Sequence, residues 1–247
     1  MLKDRLIQLI PCSIRRHLRA LYESSKKDSL RKLHSLFITP GMLVFDIGAN
    51  IGFYAQSYLG LGAKVICVEP QPYCAQQLRH RFCNHPAITI LEMGVAESRG
   101  ERILHVDSIN NTTATFSDKF IHQGPFPNRT WAQDVKVSVT TLDELIRDYG
   151  IPGYCKVDVE GYEPNVLEGL STPIPTISFE YYQGFIEDAE RCLNHLENLG
   201  EMRLNYAPNY NFTRLALKEW THSKAELLEK ITDSSINYAG DIFVNFI

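Results

Sequence analysis

The run Val44-Phe45-Asp46-Ile47-Gly48-Ala49-Asn50-Ile51-Gly52-Phe53-Tyr54 decides the fold. Its apolar start is typical of a buried strand, and the two glycines that follow predict a tight turn into a helix. Gly48 and Gly52 allow the backbone to come close to a ligand, because a glycine has no side chain. A helix that begins near Gly52 directs unpaired N–H groups into the same turn. The run therefore predicts a ligand site at the end of a central strand.

A second strand and the acid that follows it indicate which kind of ligand is bound. The run Lys64-Val65-Ile66-Cys67-Val68 predicts the strand, and Glu69 comes directly after it. An acid at the tip of this neighbouring strand can accept hydrogen bonds from both ribose hydroxyls of an adenosine group. Together the two strands predict the nucleoside-binding half of a doubly wound α/β sheet.

The residues of the turn favour S-adenosylmethionine over a dinucleotide. A dinucleotide site carries G-x-G-x-x-G, in which the second glycine leaves room for a pyrophosphate. Here the run is Gly-Ala-Asn-Ile-Gly, and Asp46 lies two residues before its first glycine. A carboxylate repels a phosphate but attracts a cationic sulfonium. A purely structural strand-to-helix turn is the alternative interpretation.

Length and charge predict one α/β domain, residues 41–247, preceded by a basic helical extension, residues 1–40. The chain has 247 residues and a net charge of −4. Residues 1–40 hold nine basic and three acidic residues, so the extension carries +6 and the domain −10. A domain this acidic is a poor nucleic-acid binder, and we expect no nucleic-acid partner.

The extension has apolar residues at helical spacing, with arginines between them. This pattern favours a helix packed on the edge of the domain or on a second subunit of a homo-oligomer. The alternative is a basic amphipathic helix that contacts an anionic membrane surface. The apolar run is interrupted by Asp4, Arg5 and Gln8, so we expect neither a signal peptide nor a membrane span.

The cysteines favour a reduced setting. The chain has six cysteines and no C-x-x-C pair, and Cys67 and Cys155 fall in predicted buried strands, where free thiols are common. We therefore expect a cytoplasmic protein, with membrane association through the extension as the alternative.

Beyond Glu69, predicted strands and helices alternate, which favours a largely parallel sheet with helices on both faces. The polar stretch Asp107 to Asp134 interrupts this pattern. We predict a long loop there, of the functional or mobile kind. The further predicted strands are Ile88–Met93, Arg102–Val106, Val135–Thr140, Tyr154–Val159, Thr176–Glu180, Met202–Tyr206 and Asp241–Ile247.

Three runs and one short motif resemble the FkbM family of S-adenosylmethionine-dependent methyltransferases. The runs are the glycine turn at Val44–Gly52, Val68-Glu69-Pro70-Gln71-Pro72, and Lys156-Val157-Asp158-Val159-Glu160-Gly161-Tyr162-Glu163 continuing to Gly169; Thr141-Leu142-Asp143 precedes the third. The resemblance covers about residues 41–180. It implies a class I, Rossmann-like methyltransferase sheet of seven strands with the last one antiparallel, and O-methylation of sugars or natural products.

The resemblance and the turn together predict the residues that bind the cofactor. The methionine half of S-adenosylmethionine is assigned to the glycine turn, the ribose to the acid after the second strand, and the adenine to the end of the third strand. The residues concerned are Asp46, Gly48, Ala49, Asn50 and Gly52 for methionine, Glu69 for ribose, and Gly94 and Val95 for adenine.

Three acids are predicted to converge where the methyl group is transferred, because a parallel sheet places its site at the carboxyl ends of the strands. Asp158 and Glu160 follow the fourth parallel strand and Glu180 follows the fifth. A sugar hydroxyl needs a base, and Asp158 is the first candidate, with Glu160 second. Lys156 lies deeper on the same side of the strand, which favours a salt bridge over chemistry.

Each acid has an alternative role. Glu160 and Asp158 could stabilise the N-terminus of the following helix, and Glu180 could bind backbone groups in the crevice. The three acids could also hold magnesium or calcium, although a metal site is not predicted.

The predicted function is O-methylation of a small-molecule or glycan acceptor. The acceptor should contact the polar stretch at 107–134 and the segment Tyr181–Phe185, whose aromatic rings could stack on a sugar. His105 and His122 border the polar stretch and are further candidates. The alternatives are a binding module without chemistry and an NAD-type oxidoreductase.

Overall fold

The computed structural model describes residues 28–107, 113–125, 129–208, 213–232 and 238–247. Within these residues the main sheet has seven strands in the order β3-β2-β1-β8-β9-β11-β10. All neighbours are parallel except β11, which runs antiparallel to both β9 and β10. The strands are β1 Leu43–Ile47, β2 Lys64–Val68, β3 Ile88–Leu91, β8 Tyr154–Val157, β9 Thr176–Tyr182, β10 Met202–Pro208 and β11 Ala239–Phe246.

Helices cover both faces of this sheet. Side chains alternate along each strand, so Val44 joins the core on one face while Phe45 joins the core on the other. The predicted α/β fold with seven strands and an antiparallel last strand is therefore confirmed. The helices are α1 Phe53–Gly60, α2 Pro72–Arg81, α3 Asp118–Gln123, α4 Leu142–Tyr149, α5 Glu163–Glu168, α6 Ile186–Glu197 and α7 Lys224–Thr232.

The part of the chain between β3 and β8 forms a second sheet. In the described part of the chain it has four strands, in the order β4-β7-β5-β6. β5 and β7 form its long antiparallel pair. The strands are β4 Gly94–Val95, β5 Gly100–Asp107, β6 Ala114–Thr115 and β7 Trp131–Thr140.

The prediction of one long loop over 107–134 was wrong in part. The stretch contains β6, α3 and the first residues of β7. Its strands form by pairing with the distant strand β5, and Ser117 starts α3 by accepting a hydrogen bond from the Phe120 N–H. Neither feature produces an apolar periodicity, because these segments are polar and short.

Several strand ends differ from the predictions, and those of β8 and β9 matter most for the site. β8 ends at Val157 rather than Val159, because Glu160 and Gly161 take left-handed φ values of 55° and 86°. β9 continues to Tyr182 rather than ending at Glu180, since it stays paired with β11 as far as Ala239. The chain thus turns sharply at 158–161, directly beside the end of β9.

The predicted extension includes residues that belong to the domain core. Residues 28–34 are helical, and Leu30, Leu33 and Ile38 are buried. The amphipathic pattern at residues 2–22 lies outside the described residues. Within the described part of the chain, no helix combines the length and the apolar character needed to cross a membrane.

Candidate active site

A cavity of about 310 Å³ opens at the carboxyl ends of β1, β2, β8 and β9. It has two parts, which we name the glycine-turn half and the carboxylate half. The glycine-turn half is lined by residues Ile47–Ile51, Phe53, Tyr54, Val68–Gln71 and Met93–Val95. The carboxylate half is lined by Leu104, Ala114–Phe116, Asp158–Glu160, Glu180 and Tyr182.

The glycine turn brings β1 against the turn that follows β8. Gly48 has a φ of 81°, and its N–H donates to the Val68 carbonyl at 2.9 Å. A Cβ atom at this position would overlap the carbonyl oxygen of Asp158. Only glycine fits here, for reasons of both backbone conformation and space. Gly48 is therefore the point at which the two halves of the cavity touch.

Glu69 is fixed at the far end of the glycine-turn half. One carboxylate oxygen accepts the Asn50 N–H at 2.8 Å, and the other accepts the Gln71 N–H at 2.9 Å. Burial raises the pKa of Glu69 to about 7. Each carboxylate oxygen has a second lone pair, so this group can still accept hydrogen bonds from a ligand.

Two of the predicted cofactor residues lie outside the lining. Asp46 is 1% exposed behind the turn, where burial raises the pKa of its carboxyl to about 7. Gly52 begins α1 with a φ of 84°, and a Cβ atom there would lie 2.5 Å from the Phe82 ring. Both residues shape the turn from behind. Contact of any of the predicted residues with a cofactor stays a prediction.

The segment predicted to contact adenine lines the glycine-turn half of the cavity. Gly94 and Val95 are buried in β4 and line the cavity. A Cβ atom at Gly94 would lie 2.7 Å from the ring of Phe116, so glycine allows this ring to close over the cavity. Phe116 directly follows β6 within the polar stretch. Its position in the cavity wall was not predicted from the sequence.

The three predicted acids all line the carboxylate half. Asp158 binds the Lys156 ammonium at 3.1 Å. Lys156 is completely buried and also binds Asp241 of β11 at 2.9 Å. Burial opposes the ammonium, but Asp158 and Asp241 raise the pKa of Lys156 well above its usual value. The geometry supports the predicted salt-bridge role of Lys156 and extends it to Asp241.

Glu160 is held from two sides. Its carboxylate accepts the Tyr182 hydroxyl at 3.1 Å, and its backbone carbonyl accepts the Thr115 hydroxyl at 2.8 Å. Burial, followed by the negative charge of Asp158, raises the pKa of Glu160 to about 7. Burial and the surrounding acids also raise the pKa of Glu180 well above its usual value.

Glu163 is a structural residue of the site that sequence reasoning missed. Its carboxylate accepts the N–H groups of Val159 at 3.0 Å and Gly161 at 3.3 Å. It therefore stabilises the turn at 158–161, which is a different role from the stabilisation of a helix N-terminus considered for Glu160. An acid near the start of a helix is the signal that could have identified it.

Most of the remaining predicted candidates lie away from the cavity, but Tyr182 lines it. His105 contacts Asp134 at 2.7 Å and ties β5 to β7, while His122 is exposed. Tyr181 is a core residue, whereas its neighbour Tyr182 faces the cavity. Among the described residues, no group of three or more His, Cys, Asp or Glu side chains has an arrangement that could hold a metal ion.

Sheet order and site together define the class of protein. The glycine turn follows β1, and the acid that suits a ribose follows β2. The main sheet has an antiparallel strand, which lies between β9 and β10. This combination is the arrangement of class I methyltransferases. The family model "Methyltransferase FkbM domain" matches residues 46–217, well over half of the chain. The chain belongs to this family of S-adenosylmethionine-dependent methyltransferases.

Three curated relatives share about a quarter of their aligned residues with this chain. The hexuronic acid methyltransferase AglP of Haloferax volcanii is 26% identical over 140 residues, which are 56% of this chain and 53% of the relative. The 31-O-demethyl-FK506 methyltransferase FkbM of Streptomyces tacrolimicus is 26% identical, over 61% of this chain and 67% of the relative. The 2-O-methyltransferase NoeI of Sinorhizobium fredii is 24% identical, over 68% and 76%. The match thus spans about half the length of AglP.

Two solved methyltransferase structures resemble this chain at low similarity. A precorrin-6y C5,15-methyltransferase from Geobacter metallireducens has a TM-score of 0.47 and 10% identity, covering 91% of this chain and 87% of the other. An S-adenosylmethionine-dependent O-methyltransferase from Thermotoga maritima has a TM-score of 0.43 and 13% identity, covering 90% and 65%. The fold assignment rests on the strand order and the family match.

Proposed function

We propose that this protein methylates a hydroxyl group of a carbohydrate, a glycoconjugate or another natural product. The observation that carries the proposal is that both sets of residues line the same cavity: Glu69 and the glycine turn line one half, and Glu160 lines the other. Two of the three relatives named above are O-methyltransferases by name, and a third acts on a hexuronic acid.

The glycine-turn half has the groups that S-adenosylmethionine requires. Glu69 provides a carboxylate for the ribose hydroxyls, and the apolar residues at Met93–Val95 provide a surface for the adenine. Asn50 carries both a donor and an acceptor for the amino and carboxylate groups of the methionine part. When bound, S-adenosylmethionine supplies an electrophilic methyl group on a positively charged sulfur.

Glu160 is the best candidate for the base. A general base works best when its pKa lies near the working pH, and the pKa of Glu160 is raised to about 7. Asp158, the first candidate from the sequence, is instead engaged with the ammonium of Lys156 at 3.1 Å. In the proposed reaction the acceptor oxygen bonds to the methyl carbon as the carbon–sulfur bond breaks. The hydroxyl proton passes to the carboxylate of Glu160.

Two kinds of residue support this step. Tyr182 and Thr115 hold Glu160, and Asp158 lines the cavity at the start of the same turn. The protein contributes mainly by aligning the acceptor with the methyl group, since a methyl transfer is an in-line displacement.

The test is to incubate the purified protein with isotopically labelled S-adenosylmethionine and extracts of the cells that express it. Mass spectrometry should then find a methyl ether whose formation requires the protein and is lost in the Glu160→Gln variant. A labelled product methylated on nitrogen or carbon would contradict the proposal. Tight binding of NADH without binding of S-adenosylhomocysteine, measured by calorimetry, would instead support an oxidoreductase.

A further inference from the structure

The charged residues that line the cavity are all acids. They are Glu69 in the glycine-turn half and Asp158, Glu160 and Glu180 in the carboxylate half. No lysine, arginine or histidine of the described residues lines either half. The carboxylate half therefore offers hydrogen-bonding groups to a ligand, but no cation.

Two cations beside the carboxylate half lie outside its lining. Lys156 lies completely buried behind the wall and binds Asp158 and Asp241. Arg129 lies outside the lining, and its guanidinium is 3.6 Å from the carboxylate of Asp107. Its positive charge opposes the rise in the pKa of Glu160, which burial and Asp158 still bring about.

The internal segments that the structure does not describe cannot supply a cation either, because their sequences contain none. Residues 108–112, 126–128, 209–212 and 233–237 include no lysine, arginine or histidine. These four segments therefore bring no positively charged side chain to the cavity.

The rest of the carboxylate half is uncharged. Leu104, Ala114 and the ring of Phe116 form an apolar wall, and Phe116 packs edge-on against Tyr162 with ring centroids 5.4 Å apart. Such a wall suits the C–H face of a sugar ring or another alicyclic compound. Thr115 and Tyr182 add hydroxyl groups beside the acids.

We propose that the chemical unit that receives the methyl group is uncharged, and carries no carboxylate, phosphate or sulfate. This inference rests on the proposed function and narrows its substrate class to neutral hydroxyl compounds, such as a neutral sugar residue. Within the described residues and the four internal segments, an anion beside the three acids finds no cation in the cavity wall to pair with, and it loses its hydration. By its name, AglP acts on a hexuronic acid, so we expect the two proteins to differ in this respect.

The test uses the labelled product of the extract experiment. The product is hydrolysed to the single unit that carries the new methyl ether, and that unit is applied to an anion exchanger at neutral pH. We expect the labelled unit to pass through unretained. A labelled unit that is retained because it bears a carboxylate, phosphate or sulfate would overturn the inference and leave the proposed function intact. If no labelled ether forms at all, the proposed function fails and the inference fails with it.

A matched pair of acceptors gives a second readout. The identified acceptor is compared with a derivative in which one hydroxymethyl group of the same unit is oxidised to a carboxylate, or one hydroxyl is phosphorylated. We expect kcat/KM for the anionic derivative to fall at least about tenfold, since like charges at close range disfavour binding. The methyl ester or amide of the carboxylate, which is neutral and of similar size, should recover most of the loss. Equal use of the anion and its neutral ester would overturn the inference.

Discussion

The two halves of the cavity are built from the sequence in different ways. The glycine-turn half is made of short segments that follow one another along β1, β2 and β3, and its main hydrogen bonds join Glu69 to Asn50 and Gln71. The carboxylate half is made of segments that are distant along the chain, with Glu160 bonded to Thr115 and Tyr182. Apart from Gly94 and Val95 in β4, the first half is a local motif, whereas the second depends on β5 and β6 of the second sheet.

This difference suggests a division of labour. The glycine-turn half has the features that one cofactor imposes on a whole fold class, whereas the carboxylate half combines elements particular to this chain. Changes in the carboxylate half should therefore affect turnover and acceptor choice while cofactor binding continues. Changes in the glycine-turn half should weaken cofactor binding first.

The largest expected effect is that of Glu160→Gln. Loss of the proposed base should reduce turnover about 10²- to 10⁴-fold, the usual contribution of general base catalysis. Binding of S-adenosylhomocysteine should be retained, because Glu160 lies in the carboxylate half. The control is Glu101→Gln on the exposed side of β5, which should behave as the unaltered protein. Turnover of Glu160→Gln equal to that of this control would remove Glu160 as the base.

The next largest effect is a loss of stability when Lys156, the cation behind the carboxylate half, is replaced. Lys156→Met leaves Asp158 and Asp241 without their shared ammonium, so we expect a loss of about 3–5 kcal/mol in the free energy of unfolding. Urea unfolding measures the change, and Lys64→Met at the exposed start of β2 is the matched control. A loss no greater than that of the control would mean that the two acids need no counter-ion.

The third prediction concerns the point at which the halves touch. Gly48→Ala introduces a Cβ atom into the space of the Asp158 carbonyl and a side chain at a φ of 81°. We expect a loss of about 3 kcal/mol in stability, together with weaker binding of S-adenosylhomocysteine.

Gly184→Ala is the control for this change, because a Cβ atom there would meet nothing within 4 Å. It should change the free energy of unfolding by less than about 0.5 kcal/mol. Similar losses in the two variants would show that the contact between Gly48 and Asp158 is not tight.

The smallest expected effect is a shift in the pH dependence of turnover. Glu160 must be ionised to act as a base, so turnover should rise with pH through its pKa of about 7 and level off above it. The Tyr182 hydroxyl stabilises the ionised form by donating a hydrogen bond. Tyr182→Phe should therefore raise the pKa of Glu160 by up to about one unit and move the rise to higher pH.

The neighbouring tyrosine provides the control for this shift. Tyr181 is buried in the core on the opposite face of β9, and among the described residues its hydroxyl has no hydrogen-bond partner. Tyr181→Phe should leave the pH profile where it is. If both variants shift the profile equally, the hydrogen bond from Tyr182 is not what sets the pKa of Glu160.

The sequence predicted the glycine-turn half well because its chemistry is local. Gly48, Asn50 and Glu69 lie at the ends of apolar strands, and strand ends of a parallel sheet meet at one edge. The convergence of Asp158, Glu160 and Glu180 followed from the same rule, whereas the seven-stranded sheet with its antiparallel last strand was implied by the family resemblance. A short apolar run between turn signals contains enough information to place these residues.

The rest of the carboxylate half could not be predicted, because it depends on pairing between distant segments. Thr115 and Phe116 reach the cavity only because β6 pairs with His105 and Val106 of β5. The sharp turn at Glu160 depends on hydrogen bonds to the side chain of Glu163, which the strand pattern does not encode. Tyr182 faces the cavity and Tyr181 the core because β9 continues two residues beyond its predicted end.

The most direct test of the division between the two halves is a calorimetric titration with S-adenosylhomocysteine. The unaltered protein, Glu69→Gln and Glu160→Gln are compared under the same conditions. We expect the affinity to fall about tenfold or more in Glu69→Gln, which loses a charged acceptor, and to stay within about threefold in Glu160→Gln. An equal loss in both variants, or no binding to the unaltered protein, would contradict the account.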